Sequence, residues 1–234
     1  MLWVDNLVLH YGDAQALGGV SLDVAKGAIV AIVGANGAGK TSLIRAIGGM
    51  LPVTSGRVQF EGADITGLPS HRVCDRGVGQ VAEGRQIFPT LDVRENLLMG
   101  SMLPRAKARR AENLERQYQL FPRLAERRTQ AAGTLSGGEQ QMLAIARCLM
   151  GEPTLVMFDE PSLGLAPAVV EFVLETIVRL NREGLTCVVV EQNVAASLEI
   201  ASQAYVLENG LVTLSGTGTE LLHDDRVRKA YLGL

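Results

Sequence analysis

One stretch of eight residues constrains the fold of this chain more than any other, the segment "GANGAGKT" that runs from Gly34 to Thr41. It directly follows the apolar run "AIVAIV", which is typical of a buried strand, and it opens a helical pattern that continues to about Ile47. Glycines at such a turn let backbone N–H groups wrap around a phosphate without Cβ clashes, and the start of the helix adds the positive end of a dipole. The stretch therefore predicts a phosphate-binding loop between a strand and a helix, and with it an α/β fold.

The lysine and the threonine of this loop stand at the offsets of a Walker A pattern. We expect Lys40 to reach the β- and γ-phosphates of ATP and the Thr41 hydroxyl to bind Mg²⁺. The alternative is a glycine turn that serves packing alone, which leaves the offsets of these two residues unexplained. The residues predicted to contact the nucleotide here are Gly34, Asn36, Gly37, Ala38, Gly39, Lys40, Thr41 and Ser42.

A second apolar strand, "TLVMFDE" from Thr154 to Glu160, ends in two carboxylates and has a Walker B pattern. Asp159 suits the coordination shell of Mg²⁺. Glu160, one residue on, points in another direction and is predicted to polarise the water that attacks the γ-phosphate. The alternative is a solvated turn that carries two acids, which the preceding Walker A pattern disfavours.

Composition limits the classes of function open to the chain. A formal net charge of −3 and a pI near 5.7 argue against binding nucleic acid through overall basicity, so no such partner is predicted. The apolar runs are far shorter than the roughly 20 residues of a membrane-spanning helix, and no signal segment opens the chain, which predicts a cytosolic location. The widely spaced Cys74, Cys148 and Cys187 lie in apolar surroundings, which favours three buried thiols over a metal or redox site.

The order of patterns along the chain predicts a mixed sheet with helices on its faces. Strand-like segments indicate an antiparallel flank on a βα core. These segments are Leu2–Leu9, Val20–Val24, Ala28–Val33 and a strand pair around Arg57–Phe60. From about residue 93 to residue 150 the sequence becomes charged and rich in Leu and Ala at helical spacing. The predicted division is a core of residues 1–92 and 151–234 with an inserted helical subdomain at about 93–150.

Between the two Walker patterns lies "LSGGEQQMLAIARCLM", from Leu135 to Met150. A Ser-Gly-Gly before apolar residues at helical spacing is by itself usually a helix N-cap. Together with the Walker patterns, and at about twenty residues before the second of them, Leu-Ser-Gly-Gly-Glu resembles the signature of ABC-type ATPases. The nucleotide contacts that this resemblance adds are Ser136, Gly137, Gly138 and Glu139.

The resemblance covers nearly the whole chain and implies the fold of that family. This fold is a P-loop NTPase with a RecA-like core, an antiparallel β flank and an inserted helical subdomain. In the family two such domains stack head to tail, and each ATP lies between the Walker A of one and the signature of the other. One copy of this chain would then carry half of each site, so the resemblance implies pairing with itself or with a similar chain.

Two further positions match the family pattern. Tyr11 stands where the family has the aromatic residue that stacks on adenine, although a plain surface tyrosine is the alternative. Glu83 falls on the usual glutamine of the Q-loop and is expected to sense Mg²⁺ and the γ-phosphate, the alternative being a structural salt bridge. Unlike glutamine, an ionised Glu83 can only accept hydrogen bonds, so it can join a metal or water network but cannot donate to phosphate.

The segment "VVVEQN", Val188 to Asn193, departs from the common family pattern because Gln192 replaces the switch histidine. A glutamine amide can donate to phosphate or accept from water, but it cannot become cationic near neutral pH as an imidazole can. We expect Gln192 to act as a neutral positioning group in hydrolysis. A second departure lies in the D-loop Ser162–Leu165, which has Leu165 where aspartate is common.

These departures, with "EGRQIFPTLDVRENLLMG" and "DEPSLGLAPA", resemble one subfamily, the second ATPase subunit of bacterial importers of branched-chain or other hydrophobic amino acids. The resemblance implies a paralogous ATPase subunit, two transmembrane permease subunits and, indirectly, a periplasmic substrate-binding protein. It implies a peripheral position on the cytoplasmic face of the inner membrane. Alternatives are a system for urea, amides, aromatic acids or lipid export, and a non-transport ABC ATPase acting on DNA or the ribosome.

A permease helix is expected in the groove between the core and the helical subdomain. The apolar residues Ile87, Phe88, Pro89 and Leu91 are the predicted contacts for it. The alternative is that all four pack internally.

Overall fold

A six-stranded sheet carries the phosphate loop. The structure, a computed structural model, describes residues 1–232, so the last two residues of the predicted core segment lie outside the described part. In spatial order the strands are β10 (Leu211–Gly216), β9 (Gln203–Glu208), β3 (Ile29–Val33), β8 (Thr186–Glu191), β7 (Leu155–Asp159) and β6 (Val78–Val81). The strands from β9 to β6 run parallel, and β10 pairs antiparallel with β9. Strand β8 separates β3 from β7, so the ends of all three meet at one edge of the sheet.

A four-stranded antiparallel sheet flanks the parallel one, as the sequence predicts. Its spatial order is β2 (Ala14–Val24), β1 (Leu2–Tyr11), β4 (Ser55–Phe60) and β5 (Ala63–Asp64). Strand β2 begins at Ala14, six residues before the predicted strand, because it pairs with β1 directly after a tight turn at Gly12, whose φ is 59°. The first half of β2, "AQALGG", has no β-branched residues and so carries no strand signal of its own.

Eleven α-helices connect or cover the strands within residues 1–232. They are α1 (Lys40–Ile47), α2 (Ser70–Asp75), α3 (Val93–Gly100), α4 (Pro104–Ala108), α5 (Arg110–Leu120), α6 (Pro122–Glu126), α7 (Gly137–Leu149), α8 (Pro167–Arg182), α9 (Val194–Ile200), α10 (Gly218–His223) and α11 (Asp225–Val227). A 3₁₀ turn (Ala132–Thr134) precedes α7, and a π-helical turn (Arg228–Leu232) follows α11. No helix of the described residues is long and apolar enough to cross a membrane.

The parallel sheet is buried on both faces. Helix α1 lies between the antiparallel flank and the face that carries Val30, Ile32 and Met157. Helices α3, α6, α7 and α8 cover the opposite face, where Val156 and Phe158 are fully buried. This burial explains why β3, β7 and β8 have continuous apolar runs rather than alternating patterns, with the acids Asp159 and Glu191 only at the ends of β7 and β8.

Helices α3 to α7 occupy the segment predicted to be a helical subdomain. Leu97 of α3, Leu124 of α6 and Leu143 of α7 belong to the same hydrophobic cluster as the β7 side chains. The segment is therefore packed against the parallel sheet, and its division from the core at about residues 93 and 150 remains a prediction.

The prediction of three buried thiols is wrong for one cysteine. Cys187 is buried within β8 and Cys148 is half-buried on α7, but Cys74 is exposed at the end of α2. Helix α2 is short and buries only Val73, so Cys74 lies on its outer side. The apolar neighbours of Cys74 in the sequence did not indicate this exposure.

Candidate nucleotide site

The loop between β3 and α1 has the backbone shape that a phosphate needs. Gly39, the residue before α1, has a φ of 103°, and a Cβ at this position would lie 2.8 Å from the carbonyl oxygen of Ala16. Gly37 has a φ of 81° and open space where its Cβ would be. The conformation and the close approach at Gly39 require glycine, and the open side of Gly37 leaves room for a ligand against the backbone.

Lys40 is 4% exposed and lies under the loop. Its Nζ donates hydrogen bonds to the carbonyl oxygens of Gly34 at 2.8 Å and Ala35 at 3.2 Å. The same nitrogen lies 3.3 Å from Oε1 of Glu160, whose side chain is 9% exposed. The buried ammonium is thus compensated by two carbonyls and a carboxylate, as a charge in this position requires.

Thr41 and Asp159 meet where α1 approaches the end of β7. The Thr41 hydroxyl donates to Oδ1 of Asp159 at 3.0 Å, and Oδ2 of Asp159 is buried without a hydrogen-bond partner among the described residues. Burial raises the pKa of Asp159, the hydrogen bond from Thr41 opposes that effect, and the nearby Glu83 and Glu160 raise the pKa further. A divalent cation would bind Oδ2 of Asp159 and would offset the repulsion between Asp159, Glu83 and Glu160. The residues therefore fit Mg²⁺, with phosphate oxygens and water as its other ligands.

Glu160 follows β7 in a left-handed backbone conformation, with a φ of 46°. Its N–H donates to the carbonyl of Val190 at 2.8 Å, which attaches the turn to the end of β8. A non-glycine residue in this region costs about 1–3 kcal/mol and persists only where the surroundings hold it. The turn therefore gives Glu160 a direction that differs from that of Asp159, as its predicted role requires.

A cleft of about 650 Å³ opens over the loop. The predicted nucleotide contacts that line it are Tyr11, Asn36, Gly37, Gly39, Lys40, Thr41, Ser42, Glu83 and Glu160. Tyr11 is 49% exposed at the rim, with its hydroxyl 3.2 Å from that of Ser42, and its stacking on adenine remains a prediction. Gly34 and the buried Ala38 shape the loop from below without lining the cleft.

Glu83 lies at the wall of this cleft, after β6. None of the ion pairs in residues 1–232 includes Glu83, which disfavours the salt-bridge alternative. Its predicted role in sensing Mg²⁺ remains a prediction.

The predicted signature residues lie at the start of α7 and not in this cleft. The Ser136 hydroxyl accepts from the N–H of Glu139 at 3.3 Å, and Oε2 of Glu139 accepts from the N–H of Ser136 at 3.0 Å. This reciprocal pair is a capping box, so the N-cap interpretation is correct for the free chain. The predicted nucleotide contacts of Ser136, Gly137, Gly138 and Glu139 remain a prediction.

Gln192 is exposed immediately after β8 and does not line the cleft. The neighbouring Glu191 is 3% exposed, and sequence reasoning missed it. An acid directly after three β-branched residues was the available signal, because β8 lies between two parallel strands and buries both of its faces.

The loop between β3 and α1 has the shape of a phosphate-binding loop and encloses a buried lysine. Two acids lie at the end of β7, which is the second strand from β3 in the sheet. These features together define a P-loop NTPase. The family model described as ABC transporter matches residues 17–163. The chain is 47% identical over 233 residues to the "High-affinity branched-chain amino acid transport ATP-binding protein BraG" of Pseudomonas aeruginosa, with full coverage of both chains.

The solved structures agree with the family model. A crystal structure of the ADP conformation of an ATP-binding cassette of an ABC transporter has a TM-score of 0.87 and 30% identity, over 100% of this chain and 99% of the other. The "Lipopolysaccharide export system ATP-binding protein LptB" of Escherichia coli is 32% identical, over 99% of this chain and 97% of LptB. This chain belongs to the ATP-binding cassettes of ABC transporters, which bind nucleotide and couple its hydrolysis to transport.

Proposed function

We propose that this cassette energises the import of branched-chain or other hydrophobic amino acids. The observation that carries the proposal is the full-length identity of 47% to BraG. The "Probable branched-chain amino acid transport ATP-binding protein LivF" of Archaeoglobus fulgidus, 36% identical over 235 residues, supports the same assignment. Neither the cleft nor any other part of this chain needs to touch the transported molecule.

In the proposed mechanism the loop and Lys40 bind the β- and γ-phosphates of ATP. Lys40 Nζ has three buried acceptors, the two loop carbonyls and Glu160, so it can turn toward a phosphate while remaining paired. Phosphate would then compete with Glu160 for the ammonium, which leaves the carboxylate able to accept a hydrogen bond from the attacking water. Tyr11 stacks on the adenine.

Thr41 and Asp159, with Glu83 nearby, are the residues that would hold Mg²⁺. When bound, the ion neutralises charge on the β- and γ-phosphate oxygens. The chain's own task is to keep Asp159 ionised, and the Thr41 hydroxyl serves it by lowering the Asp159 pKa that burial raises. Gln192 positions water or phosphate from the end of β8.

We propose that hydrolysis uses a second cassette, which is supported by the position of Ser136 to Glu139 outside this chain's own cleft. We propose that the second cassette is a paralogue, as with BraG and BraF, two branched-chain amino acid transport ATP-binding proteins of one organism that are 47% and 30% identical to this chain. The two ATP sites would then differ chemically, since Gln192 belongs to only one of them.

A groove of about 450 Å³ lies between β6, α3 and α7, and we propose it as the site for a helix of a permease subunit. Of the four predicted apolar contacts only Phe88 lines it, together with Met99, Met102 and Leu103. Ile87 packs instead against the cluster of α7 and the sheet, so the internal alternative applies to it. A permease partner places the cassette at the cytoplasmic face of the membrane.

Lipid export is the second candidate, supported by the identity of 32% to LptB. Purification of the complex from native membranes distinguishes amino acid import from lipid export. For amino acid import we expect a paralogous cassette, two unlike permeases and a periplasmic protein that binds branched-chain amino acids. A lipid-handling membrane partner would reverse the choice, and a transporter with two copies of this chain and no paralogue would refute the heterodimer.

A further inference from the structure

The end of β8 carries a buried carboxylate that the proposed mechanism does not use. Glu191 is 3% exposed. Its Oε1 accepts the backbone N–H of Ser162 at 2.8 Å, and its Oε2 accepts the N–H of Gln192 at 3.2 Å. One side chain therefore joins the end of β8 to the turn that follows β7, across 29 residues of sequence.

The hydrogen-bond partners of Glu191 are backbone donors. A carboxylate only accepts hydrogen bonds, so its ionised form matches this environment, while a protonated oxygen would face an N–H. Burial raises the pKa of Glu191 and the nearby Glu160 raises it further, while hydrogen bonding from Ser162 opposes both effects. A buried acid with such partners usually has a specific task, because its desolvation is costly.

The turn after β7 is attached to β8 at two points, one on each side of Pro161. At the first point the N–H of Glu160 donates to the carbonyl of Val190 at 2.8 Å. At the second the N–H of Ser162 donates to Glu191 at 2.8 Å. Since Glu160 has a φ of 46°, an unusual conformation for glutamate, the two attachments together hold a backbone that would otherwise relax.

The backbone of Glu191 lies beside the strand that leads into the phosphate loop. Glu191 pairs in register with Val33, the last residue of β3 before the loop begins. On the other side of the turn, Leu163 lines the nucleotide cleft and is 51% exposed. Glu191 thus lies between the loop, the turn with Glu160 and the exposed Gln192.

We infer that Glu191 is a positioning residue for hydrolysis, which clamps the turn from Glu160 to Leu165 onto the end of β8. Through this clamp Glu160 and Gln192 keep fixed positions relative to each other. The inference rests on the proposed function only in taking Glu160 as the group that polarises water. The clamp itself is a property of the chain and can be measured without hydrolysis.

Three variants of the full-length chain separate positioning from stability. Glu191→Leu fills the site without an acceptor, and Glu191→Gln retains Oε1 as an acceptor for Ser162. The matched control is Thr186→Val at the opposite end of the same strand, where a buried hydroxyl accepts the N–H of Gly27 at 2.9 Å. The control removes a comparable buried contact from β8, far from the turn.

The first measurement is amide hydrogen exchange of the peptide that covers Ser162 to Leu165, without nucleotide. We expect exchange to be faster by about tenfold or more in Glu191→Leu, with smaller acceleration in Glu191→Gln and none in Thr186→Val. Parent-like exchange in Glu191→Leu would overturn the clamp. If that variant does not fold, Glu191→Ala, which also lacks an acceptor, takes its place, and parent-like exchange in it would overturn the clamp in the same way.

The second measurement is ATP affinity and turnover of the same variants in the assembled transporter. We expect a fall in kcat of about tenfold or more for Glu191→Leu at unchanged ATP affinity, partial recovery in Glu191→Gln and parent kcat in Thr186→Val. Faster exchange with parent kcat would overturn the role in hydrolysis. A parent chain without any Glu160-dependent turnover would instead contradict the proposed function, and the exchange result would still decide on the clamp.

Discussion

Lys40 connects phosphate binding with the proposed activation of water, because it contacts both the loop carbonyls and Glu160. Lys40→Ala should weaken ATP binding by about tenfold or more, since a charged hydrogen-bond donor to phosphate is lost. Titration with a fluorescent ATP analogue measures this. Lys107→Ala, at an exposed lysine on α4, is the control. Unchanged affinity in Lys40→Ala would contradict the Walker A assignment.

Gln192 tests the other end of the site. Its side chain is exposed immediately after β8, and its predicted role is to position phosphate or water. Gln192→Ala should therefore slow hydrolysis measurably while ATP affinity stays near that of the parent, because only a positioning contact is lost. If the assembled transporter with this variant turns over ATP as fast as the parent, Gln192 only ends the strand.

Among single residues, the sequence predicted those whose roles depend on neighbours in the sequence. The loop residues and Asp159 could be predicted because their motifs are short and continuous. Glu191 could not, because its partner Ser162 is 29 residues away and the bond depends on how β7 and β8 pair. The ion pair of Lys40 with Glu160 is likewise formed only by the fold.

At the scale of single elements, α7 combines a structural cap with a predicted nucleotide contact. Ser136 and Thr217 each form a capping box, the first at α7 and the second at α10. Ser136→Ala and Thr217→Ala should each lower the free energy of unfolding by about 1 kcal/mol. Only Ser136→Ala should also reduce ATP turnover, because α10 is not part of the site.

Urea unfolding and ATPase assays of both variants check this prediction. Equal loss of turnover in the two variants would assign the effect to stability. Full turnover in Ser136→Ala would leave Ser136 as a cap and no more.

The strands show why some elements could not be predicted. Strands β3, β7 and β8 were predicted because both of their faces are buried and their sequences contain continuous apolar runs. The first half of β2 has no β-branched residue, and β6 has only four residues with Gly79 and Gln80 at its centre. These two segments become strands by pairing with β1 and β7. The fold class is confirmed, whereas the boundaries of the helical subdomain stay a prediction.

At the scale of the whole molecule, the alkylation rates of the three cysteines depend on how the helices and the parallel sheet pack together. Burial raises the pKa of the Cys148 and Cys187 thiols to about 12, and Cys74 is exposed. At pH 8 the reactive thiolate is therefore rare at the half-buried Cys148 and the buried Cys187, and its fraction grows only as the pH rises toward that value. Cys74 should be alkylated first in the native protein, and all three should react in urea.

Peptide mass spectrometry after timed alkylation gives the three rates. Alkylation of Cys187 as fast as that of Cys74 in the native protein would contradict the packing of β8 inside the sheet.

Glu160 is expected to be the group that polarises water when this chain hydrolyses ATP. The most direct test is ATP turnover of Glu160→Gln beside its ATP affinity, both measured on the assembled transporter. Glutamine keeps the size of the side chain and can still hydrogen-bond to Lys40, but it cannot take a proton, so turnover should fall by about 10²-fold or more while binding is retained. Turnover of Glu160→Gln at the parent rate would contradict the role of Glu160 as the group that polarises water.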